Sequence, residues 1–351
     1  MTTIPMDIVP GKADRALGLA VAAWERCCAS VGRKFALPSA VVSLKPQRVG
    51  RKSGVCRLEG AGVGGSSVIA KRCLRSAAAV ERAVHERLLP RIDIPTVQYY
   101  GHFEEPEGEF CWLFMEDAGA TKLFENDREL VAEWLARLHG SAAALAEEIT
   151  LPERGAAHYH KHLSAAYATL VETTRQPSLA PADQELLRVL QQSIEQLDAK
   201  WEETCAPCAG APRTLVHADF GRKNVRIRDG ATGRREVVAL DWEMAGWGPP
   251  SVDIPHSPRR APPRKIRNGP AHWRGTIPLE AYAAHAGGRW DGAAFEELTR
   301  IARVGSVFRT VASIRWALEQ LRAGATDKAM AKLRWYTEDL PHTLAAIDWV
   351  K

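Results

Sequence analysis

Several features that would place a protein in a particular class are missing from this 351-residue sequence. It has no long hydrophobic run, since the most apolar early stretch, residues 16–24, is too short to cross a bilayer. Its seven cysteines are odd in number and lack a framework spacing, which favours reduced thiols. A net charge of +5 is mild and gives no argument for a nucleic-acid partner. We therefore expect a cytoplasmic protein that binds neither membrane nor nucleic acid. The sequence leaves its oligomeric state open.

The pattern of the sequence changes near residue 117. Residues 40–117 hold short strand-like runs separated by glycine-rich turns, with one helical stretch at 77–89. From residue 118 onward, apolar residues recur mostly at helical spacing. We expect an α+β fold with an N-terminal helical extension at 1–39, a small antiparallel-sheet lobe at 40–117 and a larger, mainly helical lobe at 118–351.

The most informative segment lies between residues 214 and 253. A short apolar run leads into a polar loop that contains His217 and Asp219, and Asn224 follows five residues after Asp219. Asp241 comes at the end of a third strand-like run. Acidic and amide side chains at the ends of neighbouring strands indicate a site, because a chance match of the loop motif would lack this context.

Phosphoryl transfer needs these groups. It requires a carboxylate that accepts or orients the proton of the attacking hydroxyl, and oxygen ligands that hold Mg²⁺ against the nucleotide phosphates. The spacing predicts a kinase with Asp219 as the base and with Asn224, Asp241 and Glu243 as metal ligands. We expect His217 to shape the loop by hydrogen bonds rather than to take part in the chemistry.

These segments resemble the aminoglycoside phosphotransferase and choline kinase superfamily. The family pattern is His-Gly-Asp-x-x-x-x-Asn, then Asp-Trp-Glu, then Gly-x-Pro-x-x-Asp, and it is matched by residues 216–224, 241–243 and 246–253. The resemblance covers about residues 40–325 and implies a bilobal, protein-kinase-like fold. It also implies Mg²⁺ and a nucleotide, ATP or GTP, as phosphoryl donor.

The sequence departs from the family pattern at the loop. Ala218 replaces the usual glycine, and Gly221-Arg222-Lys223 replaces the usual His-Pro-Gly before Asn224. Neither change removes a reacting group. A protein kinase is disfavoured because the second lobe lacks an Asp-Phe-Gly and an Ala-Pro-Glu segment.

The resemblance assigns a lysine and a helix acid in the first lobe. Lys71 ends the third strand-like run and should reach the α- and β-phosphates of the nucleotide. Its partner should be a carboxylate on the following helix, for which Glu81 fits the family spacing and Glu86 is the alternative.

Two further nucleotide contacts follow from the resemblance. The glycine-rich loop 50–54, through Ser53 and Gly54, should cover the phosphates. Met115 and Glu116 lie where the family has the hinge between lobes, so their backbone groups should bind the nucleotide base.

Three other patterns have plain structural interpretations. Residues 60–65 fit Gly-x-Gly-x-x-Gly but lead into a strand-like run rather than a helix, which favours a hairpin turn. The imidazoles of 158–162 alternate on a predicted helix, where positions i and i+2 point apart, so a polar helix face is favoured over a metal site. Cys205-Ala-Pro-Cys208 has redox or zinc spacing but no second pair, which favours a loop.

The charge pattern gives two conflicting clues about the acceptor. Residues 121–206 hold 8 basic and 14 acidic residues, which suits a cationic acceptor. The proline-rich stretch 255–274 is basic and suits an anionic one. The candidate acids are Glu147, Glu148, Glu153, Glu172 and Glu202, and the candidate bases are Arg259, Arg260, Arg264, Lys265 and Arg267.

The resemblance leaves three hypotheses. The first, which the sequence favours, is an antibiotic kinase of the aminoglycoside type, which inactivates its substrate by O-phosphorylation. The second is a metabolic kinase of a small alcohol, amino alcohol or sugar, similar to choline, homoserine or sugar kinases. The third is a non-catalytic nucleotide-binding protein, which the intact motif residues disfavour.

Overall fold

The computed structural model describes residues 3–4, 12–32, 35–45, 53–120, 127–175, 179–230, 232–255, 277–324 and 326–347. The chain divides into two compact units. The first comprises Met1–Lys122 and Asn224–Met244, and the second comprises Leu123–Lys223 and Ala245–Lys351. We expected every residue after 118 in the helical lobe, whereas 224–244 belong to the first unit.

The strands of the described residues are, in chain order, β1 (Thr3–Ile4), β2 (Ala40–Lys45), β3 (Ser53–Glu59), β4 (Val68–Leu74), β5 (Tyr99–Glu104), β6 (Phe110–Glu116), β7 (Thr214–Val216), β8 (Val225–Asp229), β9 (Arg235–Ala239) and β10 (Gly246–Gly248). The helices are α1 (Lys12–Ser30), α2 (Arg75–Ala83), α3 (Arg128–Ala142), α4 (Ala156–Thr174), α5 (Pro181–Ala199), α6 (Trp201–Cys205), α7 (Leu279–Ala284), α8 (Ala294–Arg322) and α9 (Thr326–Ala345). None of the helices within the described residues has both the length and the apolar composition that a bilayer span needs.

The first unit is built on an antiparallel sheet of order β1-β2-β3-β4-β6-β5. Side chains alternate across β6, so Trp112 and Phe114 lie on one face while Leu113 and Met115 lie on the other. Helix α1 covers the first face, where its Trp24 packs against Phe114. The N-terminal helix thus closes one half of the core of this unit.

The hairpin β8–β9 packs on the second face of the sheet. Val238 of β9 belongs to the same apolar cluster as Leu113 and Met115. Because β9 is anchored there, Asp241 and Glu243, which follow it, are presented by the first unit. This packing is the physical reason why 224–244 separate from the helical residues around them in the sequence.

The stretch between β4 and β5 is less regular than the predicted single helix at 77–89. Helix α2 ends at Ala83 and is followed by a π-helical turn, Val84–Leu88, and by a 3-10 turn, Leu89–Arg91, whose second residue is the proline. Residues 60–65 form a turn between β3 and β4, which pair antiparallel. The structure confirms the hairpin interpretation of that glycine-rich pattern.

The second unit is mainly helical. Its core is formed largely by α4, α5, α8 and α9, and α8 is buried on most of its surface, as expected of a central helix. A short ladder of β7 with β10 is the exception. The side chain of Trp247 in β10 is buried and donates a hydrogen bond to the Ile149 carbonyl at 2.7 Å. This ladder fixes the start of the loop that carries His217 and Asp219.

Candidate active site

An ion cluster lies on the second face of the sheet in the first unit. Lys71 of β4 and Glu81 of α2 are both buried, and the Nζ atom lies 2.7 Å from Oε2 of Glu81. The same ammonium donates a hydrogen bond to Oδ1 of Asp241 and lies 3.2 Å from Oε2 of Glu243. One cation therefore holds three carboxylates.

The surroundings keep Lys71 charged. Burial alone would lower the pKa of Lys71, but the carboxylates of Glu81, Asp241 and Glu243 raise it well above its ordinary value. Burial raises the pKa of Glu81, an effect that the Lys71 ammonium partly offsets. The side chains of Asp241 and Glu243 remain 35% exposed. The cluster thus has an excess of negative charge on its accessible side.

That accessible side suits a hard divalent cation. Asn224 directly precedes β8, and its carbonyl accepts a hydrogen bond from the Leu240 N–H at 2.8 Å, which brings Asn224 and Asp241 to neighbouring strand ends. No group of three or more His, Cys, Asp or Glu side chains in the described part of the chain has metal-ligand geometry. Mg²⁺ commonly takes one or two carboxylates and completes its shell with water and phosphate oxygens, so this donor set fits.

In the second unit, Asp253 fixes the loop that contains Asp219. Its two carboxylate oxygens accept the backbone N–H groups of His217, at 2.6 Å, and Ala218, at 3.0 Å. His139 contributes a longer contact, 3.4 Å. Burial would raise the pKa of Asp253, but the hydrogen bond and charge of His139 and the contacts with His217 hold it below its ordinary value. Asp253 is thus a buried, ionised anchor.

The anchored loop has a strained backbone and an accessible carboxylate. His217 is buried and its Nδ1 accepts the N–H of Asp219 at 3.3 Å, a loop-shaping contact. Ala218 has a φ of +61°, which explains why glycine is usual at this position. The carboxylate of Asp219 is partly exposed and forms an ion pair with Lys223 at 2.6 Å.

A small pocket lies beside that carboxylate, and we call it the Asp219 pocket. It has a volume of about 40 Å³. It is lined by Tyr159, Ala218, Asp219, Val252, Arg309, Ala312, Ser313 and Trp316. All of these residues belong to the second unit. The pocket is therefore formed within the second unit, next to the Asp219 carboxylate.

The structure separates the two helix acids that the sequence left open. Glu81 contacts Lys71, whereas Glu86 accepts the Tyr99 hydroxyl at 3.1 Å and lies near Arg82 and His102. Glu86 is thus held on another side of the helix.

The predicted phosphate loop is only partly visible. Ser53 and Gly54 begin β3 and pair with Cys73 and Arg72 of β4. Residues 50–52 of this loop lie outside the described residues. This pairing places Gly54 next to the strand that carries Lys71.

The predicted hinge residues end β6. Met115 is buried in the sheet, and the Glu116 N–H already donates to the Gln98 carbonyl at 2.8 Å. Both carboxylate oxygens of Glu116 lie 3.0 Å from Arg228. The side chain of Glu116 therefore ties β6 to β8. Contact with a nucleotide base in this segment would need backbone groups other than the Glu116 N–H.

Most of the candidate acids for a cationic acceptor are used elsewhere in the second unit. Glu147 and Glu153 contact Arg213, and Glu172 contacts Arg322. None of the five candidate acids lines the Asp219 pocket. The candidate bases at 259, 260, 264, 265 and 267 lie outside the described residues.

The remaining patterns lie on helices. His160 points to Asp198, while His158 and His162, one turn apart on α4, bring their Nε2 atoms to 3.2 Å, a contact that the i and i+2 argument missed. Burial raises the thiol pKa of Cys205 to about 12 and that of Cys208 to about 11, so neither is poised as a thiolate.

Two important residues had no assigned role in the sequence. Asp253 stood in the Gly-x-Pro-x-x-Asp motif, and only the structure gives it the task of holding the loop. Arg309 stands in α8 without any motif, and its Nη2 donates to the Phe220 carbonyl at 2.9 Å beside the pocket. No local signal in the sequence could have found Arg309.

A cation-held acid cluster on an antiparallel sheet, with an anchored Asp loop in a helical unit, defines a phosphotransferase of the protein-kinase-like type. Residues 55–298 match the model of the phosphotransferase enzyme family, which is well over half of the chain. The chain belongs to this family. The match confirms the predicted superfamily and the prediction of a phosphotransferase. Among curated proteins, none matches the sequence.

Solved structures with a similar fold confirm the bilobal α+β prediction. A thermostable mutant of aminoglycoside phosphotransferase APH(4)-Ia, in complex with ADP and hygromycin B, is 14% identical with a TM-score of 0.55, covering 92% of this chain and 97% of that one. The GDP and kanamycin complex of APH(2")-IIIa is 16% identical, with a TM-score of 0.56 and coverages of 85% and 92%. A Plasmodium vivax ethanolamine kinase is 13% identical, with a TM-score of 0.51 and coverages of 87% and 81%.

Proposed function

We propose that this chain is a kinase that transfers the γ-phosphoryl group of a magnesium-bound nucleotide to a hydroxyl group of a small molecule. The observation that carries the proposal is the buried Lys71 ammonium, held between Glu81 on one side and the acid pair Asp241 and Glu243 on the other. A lysine in this position can bind phosphates, and the exposed acids beside it can bind the cation that accompanies them.

The proposed donor is ATP or GTP. Similar structures hold ADP and hygromycin B in one case and GDP and kanamycin in another, so the fold accommodates both adenine and guanine nucleotides. Asp241 and Glu243 would hold Mg²⁺ with Asn224, and the bound ion would neutralise charge on the phosphates. Lys71 would orient the α- and β-phosphates.

Asp219 is the proposed general base. Its carboxylate would accept the proton of the acceptor hydroxyl as that oxygen bonds to the γ-phosphorus and the bond from phosphorus to the nucleoside diphosphate breaks. Asp253, through the N–H groups of His217 and Ala218, would hold the loop so that Asp219 does not reorganise during the reaction. His217 is a positioning residue in this scheme.

Two candidate functions, an antibiotic kinase and a metabolic kinase, differ in the class of acceptor. Likeness to the aminoglycoside enzymes favours an antibiotic acceptor, for which resistance by O-phosphorylation would follow. Likeness to the ethanolamine kinase is compatible with a metabolic kinase of a small alcohol or sugar. Among the described residues, the lining of the Asp219 pocket includes Arg309 and no carboxylate other than Asp219, which disfavours a polycation there. We therefore favour the metabolic candidate.

The test is a nucleotide-consumption assay with Mg²⁺ across aminoglycosides, amino alcohols, sugars and hydroxy acids. We expect one class of hydroxyl compound to accelerate consumption of ATP or GTP, with the phosphate recovered on the acceptor. The acceleration should disappear in Asp219→Asn. Absence of transfer to every compound, or transfer that survives in Asp219→Asn, would overturn the proposal.

A further inference from the structure

Of the eight described residues that line the Asp219 pocket, two have charged side chains, Asp219 and Arg309. The carboxylate of Asp219 is accompanied by Lys223 at 2.6 Å, so its charge is compensated locally. The pocket volume, about 40 Å³, is a few times the roughly 10–15 Å³ that one water requires. It can hold the reacting end of an acceptor rather than a multi-ring molecule.

Arg309 presents donors that nothing described nearby uses up. It is half-buried on α8, and one of its N–H groups, on Nη2, donates to the Phe220 carbonyl at 2.9 Å. Among the described residues, no carboxylate forms an ion pair with it. A guanidinium has five N–H donors in a planar fork, so the remaining ones can bind an anion with two oxygens.

Further cations lie behind one wall of the pocket. Trp316, which lines the pocket, packs edge-on against the ring of His162, with 6.4 Å between the two ring centroids. Arg315 lies 3.3 Å from Nδ1 of His162, and Arg154 lies 3.4 Å from Nδ1 of His158. Burial, followed by these guanidinium groups, lowers the pKa of both histidines to about 4. With both histidines neutral, the guanidinium groups of Arg315 and Arg154 are the cations in this row of contacts.

Two described acids near this wall are engaged in other contacts. Glu319, near the same wall, forms an ion pair with Arg315 at 3.0 Å on the exposed surface. Asp253 is buried and uses both oxygens on backbone N–H groups. An anionic acceptor would therefore find unused N–H donors on the Arg309 guanidinium. A cationic acceptor would be repelled by Arg309 and, among the described lining residues, would have only the Asp219 carboxylate to contact.

We propose that the acceptor is an alcohol that carries a carboxylate or phosphate group, that Arg309 binds this anion, and that the hydroxyl thereby faces Asp219. The inference rests on the proposed kinase function and adds the charge class of its substrate. The source of the anion, carboxylate or phosphate, is decided by the experiment.

The experiment uses matched acceptors on two skeletons with the whole chain, Mg²⁺ and the preferred nucleotide. The first set is glycerol, 3-amino-1,2-propanediol, glycerate and glycerol 3-phosphate, and the second is glucose, glucosamine, glucuronate and glucose 6-phosphate. Within at least one set we expect kcat/KM to be highest for an anionic member and lowest for the amine. A higher value for the carboxylate or for the phosphate member identifies the anion.

Variants at Arg309 test the proposed contact. Arg309→Met should raise KM for the anionic acceptor by about ten- to a hundredfold, as expected for loss of a charged hydrogen bond, with little change for the neutral member or the nucleotide. Arg309→Lys should recover part of the preference. Arg300→Met, an exposed arginine on the same helix, is the control and should leave KM unchanged. Because Arg309 also bonds to Phe220, a purely structural role would lower turnover equally for all acceptors.

The outcomes separate this inference from the proposed function. Transfer that is faster to a neutral or cationic member, or an anion preference that Arg309→Met leaves intact, overturns the anionic acceptor alone and leaves the kinase standing. Transfer to no hydroxyl compound, with or without charge, overturns the kinase itself.

Discussion

Asp241 in the first unit and Asp219 in the second each follow a short strand and each contact a lysine, but the two lysines differ in burial. The side chain of Lys71, the partner of Asp241, is 8% exposed, whereas that of Lys223, the partner of Asp219, is 69% exposed. A buried ion pair is costly to break, while an exposed pair contributes about 0–1 kcal/mol. The structure thus fixes one aspartate rigidly, as suits a metal ligand, and leaves the other with a partner that water can replace, as suits a base.

The two regions also differ in how they are held. The first uses charge, with three carboxylates around one ammonium. The second uses backbone N–H groups, donated by His217 and Ala218 to a buried carboxylate, Asp253. A charged cluster can attract a cation, whereas a carboxylate saturated by N–H groups serves only to hold the loop. The comparison fits the proposed roles, which are ligand binding for the first region and proton transfer for the second.

Removing the reactive carboxylate of the second region should have the largest effect on activity. Asp219→Asn removes the proposed proton acceptor, so turnover should fall by about 10²- to 10⁴-fold. Nucleotide affinity, measured by the nucleotide-induced shift in Tm, should change little because Lys71 and the acid pair are intact. Asp198→Asn, at an exposed acid that pairs with His160, is the control and should keep full turnover. Turnover within a few-fold of the wild type would assign the base elsewhere.

Breaking the charge cluster of the first region should lower stability most. Lys71→Met leaves Glu81 buried beside two other acids, so the free energy of unfolding at pH 7 should fall by about 3–5 kcal/mol. Without the ammonium, burial and the two acids raise the pKa of Glu81 further. A carboxyl with a raised folded pKa favours the folded state at low pH, so the deficit should shrink as pH falls.

Urea unfolding at several pH values measures this effect. Lys332→Met, at a partly buried lysine that donates to Gln320, is the control, since it exposes no carboxylate. The nucleotide-induced shift in Tm should disappear in Lys71→Met and persist in the control. A normal nucleotide-induced shift in Lys71→Met would move phosphate binding to another residue.

Part of this site could be predicted from the sequence because part of it is local. The spacing from His217 to Asn224 lies within one loop, and the step from Lys71 to Glu81 spans one strand and one helix. Residues that are far apart in the sequence but close in the fold left no such spacing pattern. Asp253 contacts the loop that contains Asp219 through tertiary packing. Arg309 lines the Asp219 pocket from α8, a helix far along the sequence. The hairpin packed on the first sheet was misassigned for the same reason.

Disturbing the anchor of the second region should have an intermediate effect. Both oxygens of Asp253 accept backbone N–H groups, so Asp253→Asn places the side-chain NH₂ donor against one of these N–H donors. We expect a loss of about 1–3 kcal/mol in the free energy of unfolding, and a lower kcat at unchanged nucleotide affinity. Asp183→Asn, at an acid that pairs with Arg334 on the same unit, is the control.

The pH dependence provides a second measurement for Asp253. Its folded pKa lies below the ordinary value, so its contribution is present above that ordinary value and is lost as pH falls through the folded pKa. The free energy of unfolding of Asp253→Asn should therefore fall less steeply than that of the wild type below about pH 4. Equal acid sensitivity in both proteins would show that Asp253 is not ionised in the folded state.

The smallest expected effect concerns the backbone that the anchor holds in place. Ala218 has a φ of +61°, in the left-handed region that costs an alanine about 1–2 kcal/mol relative to right-handed conformations. Ala218→Gly removes this strain but adds freedom to the unfolded chain, worth about 0.4–1 kcal/mol. The net result should be a gain of up to about 1 kcal/mol in the free energy of unfolding.

Ala312 offers a matched control, because it lines the same pocket but lies inside α8. Glycine in a helix interior is less favourable than alanine, so Ala312→Gly should lower the free energy of unfolding by about 0.5–1 kcal/mol. Opposite signs at the two alanines would show that the loop, and not the pocket wall, carries the strain. If Ala218→Gly were destabilising by as much as Ala312→Gly, the contacts of the methyl group would outweigh the strain, and the anchor at Asp253 would hold a relaxed loop.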